Sequence, residues 1–102
     1  MDFEDAWLEV RVCTGGEAVV ISDDVLKVPA ISEVLETAAN VSGQSGMWDY
    51  SRRLYIGEIE AIRSVLAFTK MAEDAKSVSL AVNVTYKGSS YALTLFVIKR
   101  SQ

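Results

Sequence analysis

The chain has 102 residues; half of them are hydrophobic, 24% are charged, and the formal net charge is −4. This length and composition predict a single globular domain with one core and argue against disorder. There is no histidine and only one cysteine. These counts exclude histidine-dependent nucleophiles, the imidazole general base and an internal disulfide, so any catalysis would have to use carboxylates, lysines, tyrosines or hydroxyls.

The charges are distributed unevenly along the chain. Residues 1–36 carry a net charge of −7, residues 49–76 are balanced, and residues 77–102 carry +3. The basic residues form no stripe with interleaved aromatics, so we expect no tight binding to DNA or RNA. The acidic first third is either a solvated surface or a patch that meets a basic partner.

The two ends of the chain bear on its location. The first five residues, Met1 to Asp5, are acidic where a signal peptide would be basic. The apolar stretch from Tyr91 to Ile98 has the length of a strand and is too short to cross a bilayer. The single cysteine, Cys13, fits a reducing compartment. We therefore expect a soluble cytoplasmic protein that does not bind membranes.

An N-terminal hairpin over about residues 6–22 is predicted by alternation and by a turn signal. Apolar and polar residues alternate from 7 to 12, which indicates a half-buried strand. The pair Gly15-Gly16 follows, and it favours a primed turn with at least one positive φ. In this hairpin Val12 would lie opposite Val19.

A second hairpin is predicted over about residues 78–99, with its turn at Lys87-Gly88. The alternation places Val84 opposite Tyr91. The two hairpins align at a shift of 72 positions. The alignment indicates either an internal repeat with pseudo-twofold arrangement or the features that any two hairpins share.

Two helices are predicted between the hairpins. The first covers about residues 29–41 and begins at Pro29, a residue favoured at the first helical position. The second covers about residues 58–74. The stretch 48–56 is either a third strand or an extended lead into the second helix. The expected fold is α+β: an antiparallel sheet of four to five strands from the two hairpins, with both helices packed on one face.

The candidate catalytic and metal-binding groups all have a simpler structural interpretation. Asp23-Asp24 lacks the further oxygen ligands of a cation site, and Glu33 and Glu36 lie opposite the apolar stripe of their helix, where they should be solvated. Cys13 has no visible base to activate it, and the glycine segments match no phosphate loop. We therefore predict no catalytic residue, no cofactor and no metal ligand.

One group of residues has the composition of a protein interface. Tryptophan, tyrosine and arginine are the residue types that most often anchor interfaces. They are concentrated here beside a glycine-rich loop, and the predicted partner-binding residues are Trp7, Trp48, Tyr50, Arg52 and Arg53. The alternative is that the aromatic rings fill the core or cover the second face of the sheet.

We expect a non-enzymatic module that binds another protein. It would act through the aromatic cluster, the groove between the hairpins or the acidic first third. Many small acidic proteins are inhibitors or immunity-type antagonists from viruses and mobile elements, and we expect the same of this chain. This expectation rests on the class of protein and not on any particular residue. One alternative is a structural or assembly protein that forms homo-oligomers through sheet edges, in particular the C-terminal strand. The other is a carboxylate- or metal-dependent enzyme.

Overall fold

The computed structural model describes residues 3–12, 18–41, 49–55 and 57–98. They form an α+β fold with a mixed six-stranded sheet and three helices. In chain order the elements are β1 (Phe3–Val12), β2 (Val19–Val20), α1 (Asp23–Leu26), α2 (Pro29–Val41), β3 (Asp49–Tyr55), α3 (Glu58–Val65), β4 (Lys70–Glu73), β5 (Ser77–Tyr86) and β6 (Ser89–Ile98).

The strand order across the sheet is β2-β5-β6-β1-β3, and β4 also pairs with β5. β2 and β4 therefore share one edge of the sheet, and β3 forms the other. The contact between β2 and β5 is parallel, and all the other strand pairs are antiparallel. The predicted sheet of four to five antiparallel strands is thus corrected to six strands with one parallel contact.

The C-terminal hairpin has the register that the sequence predicts. Val84 lies opposite Tyr91 in the pairing of β5 with β6. Lys87 and Gly88 form the turn with φ values of 52° and 80°. Positive φ at both central residues is the geometry of a primed turn, whose twist matches that of the flanking strands.

The predicted N-terminal hairpin is wrong. β1 lies between β6 and β3, where Val12 faces Tyr91. Val19 faces Val84 in the parallel contact of β2 with β5. Since β1 has a neighbour on each side, it leaves no edge for β2. The predicted repeat of two hairpins fails for the same reason, and Gly15-Gly16 lies outside the described residues.

The alternative hypothesis of assembly through the C-terminal strand required that strand to lie at an edge of the sheet, and it does not. β6 pairs with β5 on one side and with β1 on the other. Its backbone groups are therefore engaged over Tyr91 to Val97, and strand addition there is not available.

The first helix and the middle strand have the predicted positions. α2 covers residues 29–41, and the side chains of its apolar stripe have no exposed surface. The ambiguous stretch contains a strand, β3, whose residues 49–55 pair with β1. The short helix α1 was not predicted; it buries Val25 and places Asp23 and Asp24 in its first turn.

The second predicted helix is half as long as expected. α3 ends at Val65, Leu66 is already extended, and β4 follows at residues 70–73. The edge of β5 that faces away from β6 explains the difference. β2 pairs with this edge only near Val84, and β4 pairs with its remaining stretch, residues 78–81. Strand pairing there satisfies backbone groups that a longer helix would leave without a partner.

All three helices pack on one face of the sheet and form a single core with it. The sheet contributes Leu8, Leu93 and Leu95, and the helices contribute Ile31 and Ile62, all with no exposed surface. Each such side chain stabilises the fold by about 1.5–3 kcal/mol relative to its exposed state. No described helix has both the length and the apolar character that a membrane crossing requires.

Candidate functional site

The predicted partner-binding residues of β3 point to opposite faces of the sheet. Successive side chains of a strand alternate between faces. Tyr50 and Arg52 lie opposite Val10 and Leu8, on the face that the helices cover. Arg53 lies opposite Trp7, on the other face. The five predicted residues therefore do not form one cluster, and Trp48 lies outside the described residues.

Arg52 joins β3 to two helices. Its Nη1 lies 3.0 Å from Glu58 Oε2 at the start of α3, and its Nε pairs with Glu33 of α2. The side chains of Arg52 and Glu58 are only 18% and 17% exposed. The hydroxyl of Tyr50 also donates to Glu33, at 3.5 Å. Because the guanidinium is largely enclosed and its charge is met by two carboxylates, we assign Arg52 a structural role.

Glu33 and Glu36 were expected to be solvated, and both are in fact about half exposed. Each nevertheless binds side chains from the sheet. Glu33 accepts from Arg52 and Tyr50, whereas Glu36 accepts a hydrogen bond from the hydroxyl of Tyr86 and lies 3.3 Å from Lys87 Nζ. These carboxylates hold α2 on the sheet, and they do not face each other as an acid–base pair would.

The contact between Glu36, Tyr86 and Lys87 also shifts their ionisation. The hydrogen bond from Tyr86 lowers the pKa of the Glu36 carboxyl, and the hydrogen bond from Lys87 adds to this effect. The hydrogen bond to Glu36 raises the pKa of the Tyr86 hydroxyl and that of the Lys87 ammonium. All three shifts favour the charge states that form the contact, which is the behaviour of a structural ion pair.

No described helix packs against the second face of the sheet, which we call the open face. Its side chains form rows that run across the strands, as the pairing registers show. From β5 to β3, the first two rows are Ser79–Phe96–Trp7–Arg53 and Ala81–Thr94–Glu9–Ser51, and the third row is Asn83–Ala92–Arg11.

Trp7 stands near the middle of the first row, between an aromatic ring and a cation. Phe96 is its direct cross-strand neighbour on β6. The guanidinium of Arg53 lies 5.7 Å from the centre of the Trp7 ring, and its Nη2 lies 3.3 Å from Asp5 Oδ1. Trp7 and Phe96 are both half-buried. The row therefore presents a broad aromatic surface whose orientation is fixed by its neighbours.

Most charges of the open face lie on β1 and β3, and Lys70 of β4, which pairs with Ala81, lies at the opposite edge. Glu9 and Arg11 form an ion pair at 2.9 Å on β1, next to the pair of Asp5 with Arg53. The half formed by β5 and β6 has no charged side chain from Ser77 to Thr85 or from Ser90 to Ile98 on this face. Phe96 was not among the predicted binding residues, because the side chains of its face are mostly small. Its alternation with Leu95 was the available signal.

A cleft lies at the edge of the sheet beside β2. This cleft has a volume of about 160 Å³. Its walls come from β2, α1, the end of α3 and β5, and they consist of Val19, Val20, Ile21, Ser22, Val25, Val65, Leu66, Ala67, Val82 and Val84. Such a lining offers contacts to apolar groups, and it supplies no titratable side chain for acid–base chemistry.

The described residues bring together no metal-binding group. Within them, no three side chains of the ligand types histidine, cysteine, aspartate and glutamate lie close enough to hold an ion. Asp23 and Asp24 are exposed, and Asp24 pairs with Lys27 at 3.5 Å. Cys13 and the segment Gly43 to Gly46 lie outside the described residues.

Comparison with known protein families, curated proteins and solved structures finds no match to this chain.

Proposed function

We propose that this chain is a non-enzymatic protein-interaction module that binds its partner through the open face. The observation that carries the proposal is the position of Trp7, which is half-buried between Phe96 and Arg53 on a face that no described helix covers. Tryptophan and arginine are enriched among the residues that dominate binding energy. A ring held by its neighbours loses little conformational entropy when a partner covers it.

The open face also has the layout of an interface in its charge distribution. The half on β5 and β6 carries no ionised side chain that a partner would have to desolvate, while the ion pairs of Asp5 with Arg53 and of Glu9 with Arg11 lie toward the β3 edge. An interface centre with few charged residues, and charges toward the rim, is typical of protein interfaces. A partner could be a larger protein that this small acidic chain inhibits, or another component of an assembly.

A second candidate function is assembly through a sheet edge. The observation that favours it is the position of β3, which has only β1 as a neighbour among the described strands. An edge strand with unpaired backbone groups can accept a strand from another chain. This contact would depend on the backbone of β3 and only weakly on the side chains of the open face.

Affinity capture with matched variants tests the proposal. The full chain is used as bait in an extract of its native host, and the captured proteins are identified by mass spectrometry. We expect Trp7→Ala and Arg53→Ala to reduce recovery of a specific partner. The controls are Met71→Ala and Arg63→Ala, which remove exposed side chains of similar type from other parts of the surface. A partner that the control variants lose as readily as the open-face variants would contradict the proposal.

A further inference from the structure

We infer that the open face binds the open face of a second copy of this chain, so that two sheets pack face to face about a twofold axis. This inference rests on the proposed function, because it names the partner of the same surface. The area of the face, its side-chain sizes and the order of its charges each support it.

The open face is large enough for a stable dimer. The sheet is five strands wide, and the paired rows extend over about eight residues of each long strand. With strand spacings of about 4.8 Å and a rise of about 3.3 Å per residue, the face measures about 24 by 26 Å, or about 1,250 Å² for two copies. Stable interfaces begin at about 1,200 Å² in total.

The side chains of the uncharged half are small. On β5 and β6 they are serine, alanine, asparagine and threonine, with Phe96 as the exception. A sheet face that stays in water normally carries long polar or charged side chains. Short side chains instead allow a second sheet to approach to about 10 Å, the usual separation of packed sheets. This half of the face therefore fits another sheet better than it fits water.

The charged half is complementary to itself. Along β1 the open face shows Asp5, Trp7, Glu9 and Arg11 in that order. A twofold axis that lies between the two sheets, above position 8 of β1 and perpendicular to the strands, reverses this order in the second copy. Asp5 then lies against Arg11 of the second copy, and Arg11 lies against its Asp5.

The same axis brings the first row of one copy against the second row of the other. Trp7 then meets Glu9 of the second copy, and Arg53 meets its Ser51, which lies beside that Glu9 in the same row, so that another negative side chain lies near a guanidinium. Phe96 meets the small side chain of Thr94, which leaves room for its ring. Each contact between opposite charges, and each contact between a bulky and a small residue, therefore occurs twice in the dimer, as a twofold interface requires.

Sedimentation of the full chain over a range of concentrations tests this inference. We expect a dimer of twice the chain mass of 11.2 kDa that dissociates on dilution. Thr94→Arg places a bulky charge against Phe96 of the second copy, and Arg11→Glu places a carboxylate against its Asp5. Each should raise the dissociation constant of the dimer by about 30-fold or more, as the loss of an interface anchor does.

Two changes of the same size on α3, Ser64→Arg and Arg63→Glu, serve as controls and should leave the dimer intact. The thermal midpoint of each variant is measured first, to show that the variant is folded. Arg11 suits the test because its side chain is 58% exposed, so its substitution should not disturb the core. A monomer at every concentration, or a dimer that either folded open-face variant leaves intact, would overturn the inference. A monomeric chain that still captures another protein in a Trp7-dependent way would overturn the inference alone and leave the proposed function standing.

Discussion

Arg52 and Arg53 are adjacent in β3, yet their guanidinium groups lie on opposite faces of the sheet. That of Arg52 is enclosed beside α2 and α3, 3.0 Å from Glu58 Oε2. That of Arg53 lies over the ring of Trp7 on the open face. Two neighbouring arginines therefore have different environments, so substitutions in this strand can test fold stability and partner binding separately.

We predict that Arg52→Ala destabilises the fold by about 2 kcal/mol, between the values for exposed and for fully buried ion pairs. The substitution leaves Glu33 and Glu58 beside each other without their common cation. Arg53→Ala should cost less than about 1 kcal/mol, because its side chain is 48% exposed and its contacts with the Asp5 carboxylate and the Trp7 ring lie at the surface. Denaturant unfolding measures both values, and equal losses would contradict the assignment.

The features that the sequence predicted correctly are local ones. The stripe and the initial proline of α2 lie within 13 residues, and the β5–β6 hairpin is set by alternation around the Lys87-Gly88 turn. The errors arose where pairing joins distant segments. β2 pairs with β5 instead of β1, and β4 replaces the second half of a predicted helix because the edge of β5 is available to it.

The candidate site was predictable in part. Alternation alone separates Arg52 from Arg53, since Leu54 marks the buried face of β3. It could not supply the carboxylates of Arg52, because Glu33 comes from a helix that precedes β3 and the contact depends on how that helix packs. The row of Phe96, Trp7 and Arg53 required the strand order, which places β1 between β6 and β3.

Trp7 and Leu8 provide a second comparison of adjacent residues. Leu8 has no exposed surface, whereas Trp7 is half-buried on the open face. We expect Leu8→Ala to lower the free energy of unfolding by about 2–5 kcal/mol, the range for a buried leucine. Trp7→Ala should lower it by about 1 kcal/mol, although it removes the larger side chain. Thermal melts with far-ultraviolet circular dichroism distinguish the two, and a larger loss for Trp7 would place its ring in the core.

The turn between β5 and β6 depends on its glycine. Gly88 has φ = 80°, and a Cβ added there would meet nothing within 4 Å. The cost of Gly88→Ala is therefore conformational, and we expect about 1–2 kcal/mol of destabilisation from the left-handed backbone. Ser89→Ala, in the adjoining strand position, is the control and should change the unfolding midpoint little. If Gly88→Ala melts as the unmodified chain does, the turn has another geometry.

The last prediction concerns acid and alkaline pH. The folded pKa of Glu36 is below its ordinary value of 4.5, so its stabilising effect is complete above pH 4.5 and is lost as the pH falls through the folded pKa. The folded pKa values of Tyr86 and Lys87 are above 10.0 and 10.5, so their effect is complete below pH 10 and is lost as the pH rises through the folded values. Unfolding midpoints from pH 3 to 11 should therefore fall at both ends.

The variant Glu36→Gln removes the carboxylate that Tyr86 and Lys87 both bind, and the control is Glu60→Gln on α3. We expect the midpoint of Glu36→Gln to fall less steeply than that of the control at both ends of the pH range. If the two variants show the same slopes, groups other than Glu36, Tyr86 and Lys87 cause the declines.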